Sequence, residues 1–306
     1  MTVLRHRLIF GPVLIALLIA IAALDQWLQG RPVSPLVQRV LLQREPTLPP
    51  GLAIFALMIG TSVLASRELA QILKEKGVQA SKRIMTTASI TGLLVSCIVP
   101  MEWDGPTAVA AVSSASVCIL LLSLLFHSRH RTVEGAVAAA GGTLLSFVYL
   151  GLMFGFVLAI RREHSVWVLL WVILVTKASD IGAFATGKLI GRHKLILWLS
   201  PGKTWEGLIG GVAFAALVGA AGLWALTKIP SLGEEVPPLW TGLFAGMVFG
   251  LTGVVGDLIA SLFKRDAGLK DSSSVLPGFG GVLDVLDSAL LVAPVAYWWI
   301  VFVHRA

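Results

Sequence analysis

Long runs of hydrophobic residues make up most of the chain, and short polar loops separate them. A helix needs about 20 apolar residues to cross a bilayer core, and on that criterion the pattern predicts about nine spans. They lie near residues 8–24, 51–66, 84–100, 107–126, 136–160, 165–186, 207–227, 239–262 and 283–303. The sequence therefore predicts an all-α integral membrane protein, a polytopic bundle of about nine transmembrane helices.

The composition supports this class. The chain has 306 residues, of which 56% are hydrophobic and only 13% charged, whereas a soluble domain carries about 25% charged residues. The net charge of +7 arises in short loops, and no basic patch interleaved with aromatic residues suggests a nucleic-acid partner. Cys97 and Cys118 lie in apolar runs without metal-ligand spacing, so we interpret them as small core residues.

The distribution of lysine and arginine predicts the orientation of the bundle. With the N-terminus in the cytoplasm, more than twice as many of these residues fall in cytoplasmic loops as in outer segments. The pair Arg161-Arg162 is the one outer loop that argues against this orientation. An odd number of spans places the C-terminus outside, and a short chain of this kind suggests a bacterial inner membrane.

The first polar loop of interest runs from Lys177 to Gly211 and faces the predicted cytoplasm. Lys177 and Asp180 are three residues apart and share a helix face, where they could equally form a neutralising pair inside the bundle. The segment Ser200–Trp205 has serine and proline where a helix start favours them. Free amides at a helix start attract anions, and Lys203 adds a cation. This loop therefore predicts a phosphate-binding helix start.

The second loop, Gly256–Ser288, carries acidic residues at both of its membrane borders. Asp257 and Lys264 lie at i and i+7 on one face of the eighth span, with Ser261 between them. Asp284 and Asp287 share a face at the start of the ninth span. We expect the two acidic faces to converge on one site.

Basic and glycine residues between these faces indicate the chemistry. Lys264-Arg265 and Lys270 supply cations, and the turn at residues 277–281 lets the backbone approach a ligand closely. Mg²⁺ prefers oxygen ligands and is usually held by one or two carboxylates plus substrate phosphates. Phosphoryl transfer needs mainly positioning and charge neutralisation. The two loops together therefore favour a cation-dependent phosphate site.

Each feature alone has a simpler interpretation. Asp257 could be a proton or sodium site of an ion-coupled transporter, with Asp180 as its partner. Asp284 could cap the ninth span, and Lys264-Arg265 could be an ordinary positive-inside flank. The joint occurrence of these features on one side of the membrane favours the phosphate site.

The polar residues of both loops, taken with their spacing, resemble the motif of the phosphatidate cytidylyltransferases, the CDP-diacylglycerol synthases. The residues that carry the resemblance are Gly256-Asp257, Ser261, Lys264-Arg265, Lys270-Asp271 and Pro277-Gly278-x-Gly280-Gly281-x-x-Asp284-x-x-Asp287, and upstream Asp180, Gly182-Ala183-Phe184, Gly187, Gly191-Arg192 and Ser200-Pro201-x-Lys203-Thr204-Trp205-Glu206-Gly207. They cover roughly the second half of the chain, whereas the first half matches mainly in its pattern of spans.

The resemblance implies a reaction in which CTP and phosphatidate give CDP-diacylglycerol and pyrophosphate. It implies Mg²⁺ as cofactor, with K⁺ as a further candidate ion, and Asp257 and Asp284 as the metal ligands. The implied catalytic residues are Asp257, Asp284, Lys264, Arg265 and Asp287. The implied substrate-binding residues are Asp180, Ser200, Lys203, Thr204, Glu206, Ser261, Lys270, Asp271, Gly280 and Gly281.

The same resemblance divides the chain and predicts its setting. Residues 1–135 would form about four N-terminal transmembrane helices, and residues 136–306 the C-terminal catalytic transmembrane region. The expected partners are CTP, phosphatidate and membrane lipids, with the active site facing the cytoplasm. The glycine-rich helix faces, such as the repeat at Gly242, Gly246 and Gly250, permit a homodimer.

Three positions depart from the family pattern. Phe279 stands where the family usually has His, Val285 where it has Arg, and Gly202 where it has Lys. These losses reduce the number of phosphate-binding side chains, so a catalytically weakened paralogue remains an alternative. A related CTP-dependent lipid enzyme, such as a lipid kinase, is a second alternative, and an ion-coupled transporter is a third.

Overall fold

The computed structural model describes residues 2–34, 46–102, 105–129, 133–229 and 236–305, and these are almost entirely helical. The α-helices are α1 (Thr2–Leu28), α2 (Leu52–Glu75), α3 (Lys82–Glu102), α4 (Gly105–Ser128), α5 (Ala136–Leu145), α6 (Met153–Glu163), α7 (Val166–Ile190), α8 (Trp205–Leu226), α9 (Leu239–Asp266) and α10 (Val282–Arg305). A π-helix, Ser146–Leu152, joins α5 to α6, and two short strands, β1 (Lys194–Ile196) and β2 (Ser200–Thr204), precede α8.

Eight segments of the described chain are long and apolar enough to cross a membrane. They coincide with eight of the nine predicted spans, which confirms the prediction of a polytopic helical bundle. The predicted third span corresponds to α3, which is helical over Lys82–Glu102 but does not belong to these eight. The side of the membrane on which each terminus lies stays a prediction.

The π-helix is held in place by the N-terminal helices α2 and α3. On α2, Ser62 donates its hydroxyl to the carbonyl oxygen of Leu150 at 3.4 Å. A Cβ atom on Gly92 of α3 would lie 2.5 Å from the carbonyl oxygen of Phe147, and one on Gly151 would lie 2.7 Å from that of Ser89. Glycine at these two positions therefore lets α3 pack directly against the backbone of the π-helix.

The predicted glycine face of the eighth span is used for packing within the chain. A Cβ atom on Gly242 would lie 2.7 Å from the carbonyl oxygen of Gly219, and one on Gly246 would lie against the backbone of Ala215. Both neighbours belong to α8. This face of α9 therefore permits the close approach that its spacing predicted, but the partner is α8 of the same chain.

The predicted helix start at Ser200-Pro201 is wrong. These residues belong to β2, which pairs antiparallel with β1, and α8 begins only at Trp205. A residue before proline is pushed towards extended backbone, so Ser200 continues a strand. Thr204 is the actual N-cap, since its hydroxyl accepts a hydrogen bond from the amide of Gly207 at 3.0 Å.

A buried ion pair at the opposite end of the bundle involves Arg161, one of the two arginines in the outer loop that argued against the predicted orientation. Arg161 donates through Nε to Asp25 Oδ2 at 2.7 Å, and neither side chain is more than 2% exposed. Asp25 also accepts the amides of Gly51 and Ala53 at the start of α2. The charge of Arg161 is therefore neutralised inside the bundle. Arg161 is not the exposed loop charge that the sequence predicted.

Candidate active site

The helices α9 and α10 cross at Gly256, and this contact brings two of the predicted aspartates together. A Cβ atom on Gly256 would lie 2.6 Å from the carbonyl oxygen of Asp287, so no larger residue fits there. Asp257, the next residue on α9, lies close enough to the Asp287 carboxylate for the two charges to interact. Lys177 of α7 is also within electrostatic reach of Asp287.

Asp257 is neutralised from the β-hairpin. Lys203 of β2 places Nζ 2.8 Å from Asp257 Oδ2 and also donates to the carbonyl oxygen of Val254 at 3.3 Å. Ser261, one turn along α9, donates its hydroxyl to Asp257 Oδ1 at 3.4 Å. The Asp257 side chain is 34% exposed, so a ligand can reach it from solvent.

Asp284 lies in a more closed environment. Lys264 of α9 donates to Asp284 Oδ1 at 2.5 Å, and each of these two side chains is only 9% exposed. Asp284 Oδ2 accepts from the amide and hydroxyl of Ser272, both at 2.8 Å, and from the amide of Gly281 at 2.9 Å. This carboxylate therefore ties α9 and the loop before α10 to the start of α10.

The glycine turn before α10 is required by backbone geometry. Gly278 and Gly280 have φ angles of 84° and 92°, a left-handed conformation that residues other than glycine rarely adopt. A Cβ atom on Gly281 would collide with the hydroxyl of Ser272 and the carboxylate of Glu68. The turn therefore holds a fixed conformation around Asp284.

Glu68 of α2 is a site residue that the sequence analysis missed. It is 6% exposed and accepts the amides of Val282 and Leu283 at 3.0 and 2.8 Å and the hydroxyls of Ser272 and Ser273 at 3.0 and 2.6 Å. It thus caps α10 from another helix. The second span was predicted to end at residue 66, so Glu68 was placed in a loop; α2 in fact continues to Glu75.

We expect Glu68→Gln to destabilise the protein by about 1–3 kcal/mol, because one carboxylate oxygen becomes an NH₂ group that faces hydrogen-bond donors. Turnover should fall with it, since Glu68 and Asp284 share Ser272. The measurement is thermal unfolding in detergent together with activity. Glu75→Gln is the control, since Glu75 is exposed and bonded only to Gln71 among the described contacts. Unchanged unfolding of Glu68→Gln would contradict the capping role.

The remaining basic and polar residues of the second loop lie around this centre. Arg265 is exposed and donates to the carbonyl oxygens of Leu199 and Leu269 at 3.3 and 3.2 Å, which joins α9 to the hairpin. Lys270 and Asp271 are exposed on the loop. Their side chains are therefore accessible to a soluble ligand.

The loop from Lys177 to Gly211 has fewer direct contacts with the aspartates of the second loop. Lys177 and Asp180 form the expected pair, with Nζ 3.3 Å from Oδ2. Glu206 accepts the amides of Arg192 and His193 and lies 2.6 Å from His193 Nδ1, so it stabilises the turn before β1. Ser200 is half-buried in β2. Of the candidates in this loop, Lys203 is the one whose side chain bonds directly to an aspartate of the second loop.

The three departures from the family pattern lie at the edge of this site. Phe279 is half-buried, and its ring lies 3.6 Å from the position a Cβ atom on Gly11 of α1 would take. Gly202 is exposed at the hairpin and Val285 is half-buried on the first turn of α10. None of the three belongs to the hydrogen-bonded network around Asp284.

The carboxylates of this centre are the candidate ligands for a divalent ion. Within the described ranges no group of three or more His, Cys, Asp or Glu side chains has the geometry of a metal site. A Mg²⁺ ion bound with substrate phosphates needs only one or two carboxylates, and Asp257, whose side chain is 34% exposed, is the one that such a ligand can reach from solvent. Asp284 can join Asp257 only if Lys264 moves away from its oxygen.

The chain is similar in sequence to known proteins over most of its length. Residues 46–303 match the model of the Cytidylyltransferase family. The chain is 31% identical over 268 residues to the phosphatidate cytidylyltransferase of Synechocystis sp., covering 78% of this chain and 85% of that protein. It is 31% identical over 246 residues to the enzyme of the same name from Staphylococcus aureus, covering 78% and 87%. The protein of that name from Chlamydia trachomatis is 35% identical over 184 residues, covering 58% and 59%.

Proposed function

This chain belongs to the cytidylyltransferase family, and from that premise we propose that it is a phosphatidate cytidylyltransferase that converts CTP and phosphatidate to CDP-diacylglycerol and pyrophosphate. The observation that carries the proposal is the meeting of α9 and α10 at Gly256. The contact lies at the backbone of Asp287, while Asp257 pairs with Lys203 of β2 and Asp284 pairs with Lys264 of α9, within a helical bundle suited to a membrane.

In the proposed reaction an oxygen of the phosphatidate phosphate attacks the α-phosphorus of CTP. The bond between the α-phosphorus and the bridging oxygen to the β-phosphate breaks, and pyrophosphate leaves. The protein has to hold two anions together and neutralise the charge that develops on the leaving group. Lys203, Lys264 and Arg265 are the cations placed to do so, and exposed Lys270 contributes to the capture of CTP.

A divalent ion fits this scheme as an additional cation. Asp257 and Asp284, with Asp287 beside them, would hold Mg²⁺ together with substrate phosphates, and K⁺ is a further candidate. Bound there, the ion would neutralise phosphate charge and help align the reacting groups. Lys264 would then exchange its bond to Asp284 for a phosphate oxygen, which keeps its own buried charge compensated.

An apolar cavity of about 130 Å³ supports a lipid as the second substrate. It lies between α1, α2, α6, α7 and α10, and its wall includes Leu286 next to Asp287 and Thr176 next to Lys177. One end of the cavity therefore lies beside the charged centre. We propose that a segment of an acyl chain of phosphatidate enters it while the phosphate lies near Asp257.

Product identification with the purified protein in lipid vesicles tests the function. With Mg²⁺, phosphatidate and CTP labelled at the α-phosphate, the label should appear in CDP-diacylglycerol, and unlabelled pyrophosphate should be released. In a parallel assay with CTP labelled at the γ-phosphate, label in the lipid together with release of CDP would indicate a lipid kinase. Ion flux in sealed vesicles without CTP, and no labelled lipid, would indicate a transporter. Inside-out bacterial vesicles that use external CTP would support an active site on the cytoplasmic side of the inner membrane.

A further inference from the structure

Tyr149 lies at the centre of the π-helix, and its hydroxyl has no hydrogen-bond partner among the described residues. The residue is only 3% exposed. A buried hydroxyl without a partner costs about 1–3 kcal/mol, so the fold retains Tyr149 at some expense. Its ring packs edge-on against Phe263, with centroids 5.7 Å apart and the planes at 85°, so it lies against α9, the helix that carries Asp257 and Lys264.

The ring contact places Tyr149 beside α9 at Phe263, one residue before Lys264. Asp287 and Asp257 are near enough to act electrostatically on its hydroxyl, which is hydrogen-bonded to neither. The Tyr149 hydroxyl is therefore an unused donor near two carboxyl groups.

The backbone conformation at Tyr149 supports a functional role. π-Helical turns within α-helices are rare and occur frequently at functional sites. Here the turn is held by Ser62 of α2 and by the glycine contact with α3, so two N-terminal helices maintain the position of one side chain. Phe at this position would make the same ring contacts without leaving a polar atom unsatisfied.

We propose that the Tyr149 hydroxyl donates a hydrogen bond to a phosphate oxygen of the substrate bound beside Asp257 and Asp287. This inference rests on the proposed function for the identity of the substrate. A phosphate oxygen supplies the acceptor that the hydroxyl lacks, and Lys177, Lys203 and a bound cation offset the repulsion between the phosphate and the two carboxylates. The N-terminal helices thereby contribute a substrate contact as well as the Glu68 cap.

The test compares Tyr149→Phe with Tyr297→Phe, because these are the two tyrosines of the chain. Tyr297 donates to Glu163 at 3.2 Å, away from the charged centre. We expect Tyr149→Phe to lower kcat/KM by about 10- to 100-fold, the effect of losing one hydrogen bond to a charged group. Ligand-free Tyr149→Phe should melt at or above the wild-type temperature, since it loses only an unsatisfied hydroxyl. Tyr297→Phe should keep wild-type kcat/KM.

Separate arms identify which phosphate Tyr149 contacts. If it contacts CTP, Tyr149→Phe should raise the KM for CTP and reduce the thermal stabilisation by CTP with Mg²⁺; if it contacts phosphatidate, both changes should appear with phosphatidate. Wild-type kcat/KM for both substrates would overturn the inference. So would a fall in activity that is matched by lower ligand-free stability, which is the signature of a structural role.

The failure of the proposed function has a different signature. A wild-type protein that forms no CDP-lipid refutes the function, while the stabilisation by CTP or phosphatidate still tests Tyr149 in both variants. If wild-type protein is stabilised by either compound and Tyr149→Phe is stabilised equally, the hydrogen bond is refuted independently. A wild-type protein that neither reacts with nor is stabilised by these compounds refutes both proposals.

Discussion

Asp257→Asn is expected to lower the rate of CDP-diacylglycerol formation by at least about 100-fold, because it removes a carboxylate proposed to hold the divalent ion, and even groups that only support metal ligands cost about 10- to 100-fold. The protein should remain folded. Asp257 is 34% exposed and its partner Lys203 is 22% exposed, so solvent can compensate for the lost ion pair. Steady-state turnover with labelled CTP and a parallel melting curve measure the two effects separately.

Asp266→Asn is the matched control for this variant. Asp266 ends the same helix and pairs with Lys76 at 2.9 Å, but both side chains are more than half exposed. Exposed pairs of this kind contribute at most about 1 kcal/mol, so turnover and melting should match the wild type. Full turnover in Asp257→Asn would remove Asp257 from the reaction.

Asp284→Asn should reduce both turnover and stability. Asp284 and Lys264 are each 9% exposed, and removing one partner of a buried ion pair costs about 3–5 kcal/mol because the other charge is left uncompensated. The loop around Ser272 should also loosen, since Asp284 accepts both its amide and its hydroxyl. Chemical or thermal unfolding in detergent and the turnover assay measure the two losses.

The double variant Lys264→Met/Asp284→Asn separates structure from chemistry. Removing both charges relieves the uncompensated lysine, so the double variant should be more stable than Asp284→Asn alone. Turnover should stay lost, because the carboxylate and the cation proposed to bind phosphate are both gone. Recovery of turnover along with stability would show that the pair is only structural.

The bundle could be predicted from the sequence because hydrophobic runs of bilayer length leave few alternatives. The predicted third span, residues 84–100, is likewise helical, as α3 (Lys82–Glu102). Two of its hydroxyls are satisfied within the helix, since Thr86 donates to the carbonyl oxygen of Lys82 and Ser89 to that of Thr86. Such residues can therefore lie inside the bundle without leaving unpaired polar groups.

The acidic faces of α9 and α10 could be predicted because helical spacing decides which residues share a side. The residues from distant parts of the chain that accompany these faces could not be predicted in this way. Glu68 lies more than 200 positions before Ser272, which it contacts. Tyr149 lies in a π-helical turn, which the spacing of hydrophobic residues does not reveal. The helix start at Ser200 was wrong for a local reason, since the backbone preference of a residue before proline outweighs the capping preference of serine.

The most direct measurement of the central idea, that acidic side chains from α9 and α10 jointly hold one divalent ion with the nucleotide, is Mn²⁺ binding by electron paramagnetic resonance in the presence of CTP. We predict one Mn²⁺ site per chain in the wild type. Asp257→Asn and Asp284→Asn should each weaken it at least about tenfold, since even the loss of a group that only supports a metal ligand has an effect of this size. Equal Mn²⁺ affinity in the wild type and both variants would contradict the account.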